Sequence, residues 1–399
     1  MKKIELLAPA GSLEKLKVAF HYGADACYIG GRDFSLRANA TNFSIDEIKE
    51  ACDIAHELGK KIYVTVNIVF HNEDVKGLEE YLRSLEKAGV DAIIMSDPWL
   101  ISFVKEKKIN LELHMSTQAS TLYYESGNFW KDLGVSRVVL ARELHYSEIK
   151  DIIDKTGMEI ETFVHGAMCS SYSGRCVLSN YFTNRDANRG GCAQVCRYCF
   201  DLYDDNKEKV ESDTEFTMST KDLSLISMLS KMIEIGIASL KIEGRMRSNY
   251  YIATVVSTYR EAIDSYYDGT LDEEKLAYYK KVLNRVANRD SEEQFFNTFP
   301  DVKGQYFLGR QEVSNQDFLG IVLDYDEENK IVTITERNFF KKGDVVEIFG
   351  PKTKTITFTV PDIYNEDGEM VDAARHPEEI IRFKLDVLVR KDDIMRIKI

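Results

Sequence analysis

The chain lacks several features that would settle its class at once. No apolar run approaches the roughly 20 residues needed to cross a bilayer, so no membrane partner is expected. The first residues, MKKIELLAPAGSLEKL, have none of the apolar core of a secretory signal and read straight into a strand, which makes the reducing cytoplasm the expected compartment. Positive charge is in deficit: 52 basic against 66 acidic side chains leave a formal charge of −14, which excludes a generally basic nucleic-acid coat. The dinucleotide fingerprint G-x-G-x-x-G, the P-loop and the nucleophile elbow G-x-S-x-G are missing. His56-Glu57 starts a zincin-like pair that no second histidine completes. Cysteine, finally, is scarce outside one segment, which holds five of the chain's seven.

Two cysteines, Cys27 and Cys52, sit in apolar contexts and read as small buried hydrophobes. The other five, Cys169, Cys176, Cys192, Cys196 and Cys199, crowd into FVHGAMCSSYSGRCVLSNYFTNRDANRGGCAQVCRYCF and point to sulfur chemistry. A reducing compartment disfavours disulfides. Zinc usually draws on two Cys-x2-4-Cys knuckles, and only Cys192/Cys196/Cys199 resembles one. A cubane iron–sulfur cluster tolerates wider spacing, because it needs only four converging thiolates. Spacing alone leaves cluster, zinc and free thiols open. The same segment carries Arg175, Arg185, Arg189 and Arg197 against Asp186, a local cation excess that suits RNA phosphate or merely solvates a long loop.

Short apolar runs alternate with helix-like segments, the pattern of βα units. Eight strands are expected, at 4–8, 26–30, 62–67, 92–96, 111–116, 137–141, 159–164 and 239–243, which together make a (β/α)8 barrel. Ser44 and Glu47 form a capping box before one helix, and Asn72 is the expected cap of the next. The expected domains are a barrel over 1–245, with a cysteine-rich segment at 165–200 and a β-hairpin at 200–217, a helical extension over 246–300, and a small antiparallel β-barrel over 301–399. That last unit resembles the second domain of elongation factor Tu. Catalytic groups of such barrels lie just past the strand ends, which selects Arg37, Asn67, His114, Arg142, Glu143, His165, Glu243 and Arg245. The tyrosines of RSNYYIATVVSTYREAIDSYYDG fall at helical spacing and read as a helix packed on the barrel.

The runs HGAMCSSYSGRCVLSN and ANRGGCAQVCR, with LLAPAGS near the start and KIEGR at 241–245, resemble the signature of the collagenase-like peptidase family U-32, and within it the tRNA-hydroxylating group. The resemblance covers nearly the whole chain. It implies prephenate-dependent 5-hydroxylation of the wobble uridine of tRNA, a [4Fe–4S] cluster, an electron donor and a paralogous partner subunit. Matched residue by residue, Cys169, Cys176, Cys192 and Cys196 fall on the metal-binding pattern; Cys199 is an extra thiol, and the choice of fourth ligand stays open. An anionic donor would require bidentate cations, for which Arg37, Arg142 and Arg245 are placed, with Asn67 and Glu243 beside them and Arg185 and Arg189 toward RNA. His114, Glu143 and His165 are the expected proton carriers. Three alternatives stand beside this reading: a ribosomal RNA cytidine hydroxylase, a peptidase in which His165 would hold Cys169, and a non-catalytic RNA-binding scaffold with a structural metal.

Overall fold

The computed structural model describes residues 3–36, 42–211, 215–287, 289–306 and 317–399. Arg37 lies outside the described residues. The first nine strands are β1 (Glu5–Pro9), β2 (Ala26–Gly30), β3 (Lys61–Val66), β4 (Ala92–Met95), β5 (Glu112–Met115), β6 (Arg137–Val139), β7 (Glu159–Gly166), β8 (Asp222–Ser224) and β9 (Ser239–Ile242). All except β8 pair in parallel, each with the next, and β9 closes the ring by pairing with both β1 and β7. This is the expected eight-stranded parallel barrel. The strand β8 is no stave; it runs antiparallel to the end of β7, with β10 (Ser291–Glu292) alongside it.

Helices α1 (Leu13–His21), α2 (Ile45–Glu57), α3 (Leu78–Ala88), α4 (Pro98–Glu106), α5 (Tyr124–Asp132) and α6 (Tyr146–Thr156) fill the connections up to β7. The capping box before α2 is present: Glu47 N–H donates to the Ser44 hydroxyl (3.2 Å) and Ser44 N–H to the Glu47 carboxylate (2.7 Å). Asn72 does not cap α3. It opens a separate 3-10 turn over Asn72–Val75, and α3 starts only after Gly77, whose φ of 83° breaks the helical path.

Beyond β7 come α7 (Leu178–Thr183), α8 (Leu229–Glu234), α9 (Asn249–Tyr267) and α10 (Glu273–Val286). The tyrosine-rich α9 packs on the barrel, with Tyr250, Tyr251 and Tyr259 buried. Residues 291–306 stay with the barrel: β10 sits beside β8, Phe296 is in the barrel's core, and Tyr306 N–H bonds the Ser219 carbonyl (3.0 Å). The second unit therefore begins after the 301 expected.

That unit is an eight-stranded antiparallel sheet wrapped around its own core of Val332, Ile334, Val346, Ile348, Ile381 and Phe383. It seats on the barrel's helices through Tyr22 against Phe349, Tyr250 stacked on Phe318 at 5.0 Å, and Arg396 donating to the Tyr278 hydroxyl (3.2 Å).

Candidate active site at the barrel mouth

Inside the barrel the side chains form layers, as strand alternation requires. An apolar layer holds Leu7, Ala26, Tyr28, Tyr63, Ala92 and Ile94. At the strand starts lies a charged floor. Arg137 is shared among Glu5, Glu159 (2.8 Å) and Glu161 (3.2 Å), and Lys241 closes the set by pairing with Glu161 at 2.7 Å. The Glu161 carboxyl, fully buried, is held below the usual carboxylate range by Lys241 and Arg137, which outweigh the upward push of burial.

Above this floor, past the strand ends, opens a cavity of about 390 Å³. Its cationic wall is Arg142, Arg197, Lys241, Arg245 and Arg247, and among the described residues Glu243 is the one carboxylate lining it. Four of these residues come from a single run: Lys241 lies within β9, Glu243 just past its end, and Arg245 and Arg247 on the turn that follows, where Arg247 N–H donates to the Gly244 carbonyl (2.8 Å). Gly244 starts this turn with a φ of 157°, and a Cβ there would meet the Tyr251 ring at 2.8 Å. Arg245 lies across Gly30, where any side chain would collide with it, and donates to Ser35 (3.2 Å) and to the Leu36 carbonyl. Arg142 lies 4.5 Å over the Phe163 ring and donates to the Ala167 carbonyl (3.0 Å), while its buried Nε has no hydrogen-bond partner. Gln118 lines the same wall with a buried, unpartnered Oε1. Asn67 also lines the cavity and accepts from Leu36 N–H (3.3 Å).

The cysteine-rich segment forms the remaining wall. Cys169, Cys176, Cys192 and Cys196 all line the cavity. Cys199 does not: it is exposed, and its thiol donates to Glu215 at 2.7 Å. Asn188 clasps the Cys176 backbone at both ends, accepting from its N–H (3.2 Å) and donating to its carbonyl (2.9 Å). Leu178 N–H points at the Cys176 sulfur (3.4 Å), the kind of donor that steadies a metal-bound thiolate. Burial pushes the Cys196 thiol up, and the fields of Cys169 and Cys192 push it further, so these three sulfurs share one neighbourhood. Among the described residues no three Cys, His, Asp or Glu side chains converge tightly enough to hold a single metal ion. The four thiols line the cavity without meeting at a point.

Three expected proton carriers are placed elsewhere. His165 turns outward because β7 carries a bulge between Phe163 and His165, which reverses the alternation. Its ring packs between Tyr251 and Tyr259 of α9, and burial lowers its pKa to about 3. Glu143 anchors the cysteine segment, accepting the Ser173 N–H (2.7 Å) and hydroxyl (2.8 Å). His114 is inside the barrel beside the floor, edge-on to Tyr63 and 3.3 Å from Glu112. Among the described residues no histidine lines the cavity. Arg189 also departs from its expected place toward RNA: it is clamped to Asp74, Glu73 (3.2 Å) and the Val69 carbonyl (3.0 Å), tying the cysteine segment to the loop after β3. Arg185 is exposed, beside Tyr181 (84% exposed) and Phe182 on α7.

The sequence profile of Peptidase family U32 matches residues 11–305, and that of the Peptidase family U32 C-terminal domain matches 314–396. Among characterised proteins, tRNA hydroxylation protein P1 of Bacillus subtilis is 51% identical over 99% of this chain and 95% of its own length. The 23S rRNA 5-hydroxycytidine C2501 synthase of Escherichia coli is 38% identical over 66% of this chain and 40% of its own. A collagenase of Porphyromonas gingivalis is 32% identical over 91% of this chain and 90% of its own.

Proposed function

The chain belongs to Peptidase family U32, and from that premise we propose that its barrel-mouth cavity is the active site of an RNA-hydroxylating enzyme that installs oxygen at C5 of the wobble uridine of tRNA. The names of the tRNA- and rRNA-hydroxylating relatives support hydroxylation of RNA, and the greater identity and coverage of the tRNA protein favour tRNA. The observation that carries the reading is the lining itself: among the described residues, four thiols, five cations and one carboxylate line a single cavity of an acidic protein.

The donor set fits a [4Fe–4S] cluster held by Cys169, Cys176, Cys192 and Cys196. Four thiols with no histidine among them line a space larger than one ion fills, and a backbone N–H is aimed at one sulfur. When bound, such a cluster supplies one-electron chemistry, for which an electron donor is a partner in this reading. Hydroxylation also needs an oxygen donor, and prephenate, a dicarboxylate, suits the wall. Arg142, whose buried Nε is unpartnered, and Lys241, whose ammonium stands over Tyr28 and Phe163 (4.5 and 5.5 Å), are the groups placed to receive carboxylates. The aromatic rings exclude water around them and so strengthen those contacts. Exposed Tyr181 and Phe182 with Arg185 offer a stacking edge for single-stranded bases on the outer face of the cysteine segment.

A thiol-peptidase reading needs a histidine against a cavity cysteine. His165 faces α9 instead of the cavity, and burial keeps it neutral. The test is mass spectrometry of tRNA nucleosides from a strain deleted for this protein. Loss of the C5-oxidised wobble uridine, restored by the wild-type copy and not by Cys192→Ala, is the expected result. Normal levels in the deletion strain, with no paralogue present, would overturn the reading.

A further inference from the structure

The charges of the cavity wall are not evenly matched. Arg197, Arg247 and Arg289 surround one carboxylate, Asp222, at the start of β8. Arg289 occupies it directly, and is itself buried and fixed by the Ser219 hydroxyl (3.1 Å). Arg247 is a loose second partner at 3.7 Å, with its guanidinium over the Tyr251 ring. Among the described residues, Arg197 has only the neutral Gln194 amide, at 2.8 Å, as its hydrogen-bond acceptor. Both Arg197 and Arg247 line the cavity, and Arg289 does not. Glu243, the other carboxylate near the group, is engaged by the Tyr28 hydroxyl (3.3 Å).

We propose that Arg197 and Arg247 form a phosphate site at the rim of the cavity, which takes the backbone phosphate next to the nucleotide whose base enters. The inference rests on the RNA reading above and adds to it where the strand is gripped. Depth separates this pair from the carboxylate-binding groups: Lys241 lies within β9, whereas Arg247 stands five residues beyond its end and Arg197 belongs to the cysteine segment that covers the mouth. Two planar guanidiniums grouped about Asp222 at the cavity wall match the oxygens of a phosphodiester. Asp222 and Arg289 behind them hold Arg247 at the rim without cancelling the pair's charge. A base read inside such a pocket must leave its stack, and a fixed phosphate beside it sets the pivot of that movement.

The probe is a short single-stranded RNA carrying one central uridine, titrated over a range of salt against the anaerobically purified full chain. Each phosphate contact on single strands contributes about 0.7 to the slope of log K against log salt. Arg197→Gln/Arg247→Gln should therefore lower the slope by about 0.7, the share of the one phosphate the pair holds, and Arg197→Lys/Arg247→Lys should keep it, since the charges remain. A methylphosphonate linkage beside the uridine should lower the wild-type slope and leave that of the Gln variant unchanged. An unmelted Gln variant with the wild-type slope would overturn the phosphate site and leave the RNA reading standing. Loss of iron from the Gln variant would assign Arg197 to the thiols instead, also against the proposal. Wild-type protein that binds no RNA even at low salt would overturn the RNA reading and the inference with it.

Discussion

The barrel encloses two charged layers built from the same residue types, and they are put to opposite use. In the floor every charge meets a counter-charge: Arg137 with three glutamates, Lys241 with Glu161, and Tyr63 and Ser239 donating to Glu5 (2.8 Å each). At the mouth, among the described residues, five cations and one carboxylate line the cavity; Lys241 is also held by Glu161 and Arg247 stands 3.7 Å from Asp222, but Arg142 has no carboxylate partner, and Arg142 and Gln118 keep buried polar atoms with no partner. Leaving such groups unpaired costs stability, about 1–3 kcal/mol per buried polar atom. The unpartnered donor at Arg142 Nε, set among cations, suits an anionic group, while the unpartnered Gln118 Oε1 suits a donor on the same ligand. Lys241 belongs to both layers, paired below and facing the cavity above.

The contrast can be broken most forcefully in the floor. Glu161→Ala strands Arg137 and Lys241 without their shared, fully buried partner, and removing one member of such a set typically costs about 3–5 kcal/mol. Urea unfolding should show a midpoint lowered accordingly; a shift under about 1 kcal/mol would mean the floor is solvated and the comparison unsound.

A smaller effect follows from His165. Its folded pKa is lowered to about 3 by burial, while the unfolded chain titrates near 6.5. As pH falls, the unfolded state takes up the proton first, so stability present above about pH 6.5 is lost on the way down toward 3. Between pH 6 and 4.5 the loss from this group is about 2 kcal/mol. His165→Phe should flatten that part of the stability profile; an unchanged profile would place a protonated histidine in the fold.

The mouth should respond in the reverse manner. Arg142→Ala removes a cation with no carboxylate partner, so the unfolding midpoint should move by less than about 1 kcal/mol while iron is retained and tRNA modification is lost. A large drop in stability would show Arg142 to be a structural residue like Arg137.

Much of this was legible in the sequence, and what was not has local causes. All eight staves were readable because each is a short apolar run ended by a polar or glycine residue, and Ser44–Glu47 announced α2 by side-chain chemistry within one turn. The site's best signal was K-x-E-x-R-x-R at 241–247, four charged residues crowded at the end of one strand and the turn after it. It could have delivered Lys241 and Arg247 along with Glu243 and Arg245. His165 was misplaced because a bulge of one residue flips the facing of everything after it, and no residue in that strand marks the bulge. Glu143 and Arg189 were misassigned for another reason: their partners, Ser173 and Asp74, lie 30 and 115 residues away, and only the fold brings them together. Asp222 and Arg289, which back the rim, are paired across a similar distance by a strand too short to read.

The account turns on which thiols face the cavity, and metal analysis of two single variants reads that out directly. Iron and acid-labile sulfide would be measured in anaerobically purified wild type, Cys196→Ala and Cys199→Ala. The expected result is about four iron and four sulfide per chain in the wild type, the same in Cys199→Ala, and an emptied site in Cys196→Ala, because Cys196 lines the cavity while Cys199 faces Glu215 on the surface. Full iron in Cys196→Ala with loss in Cys199→Ala, or zinc in place of iron in the wild type, would contradict it.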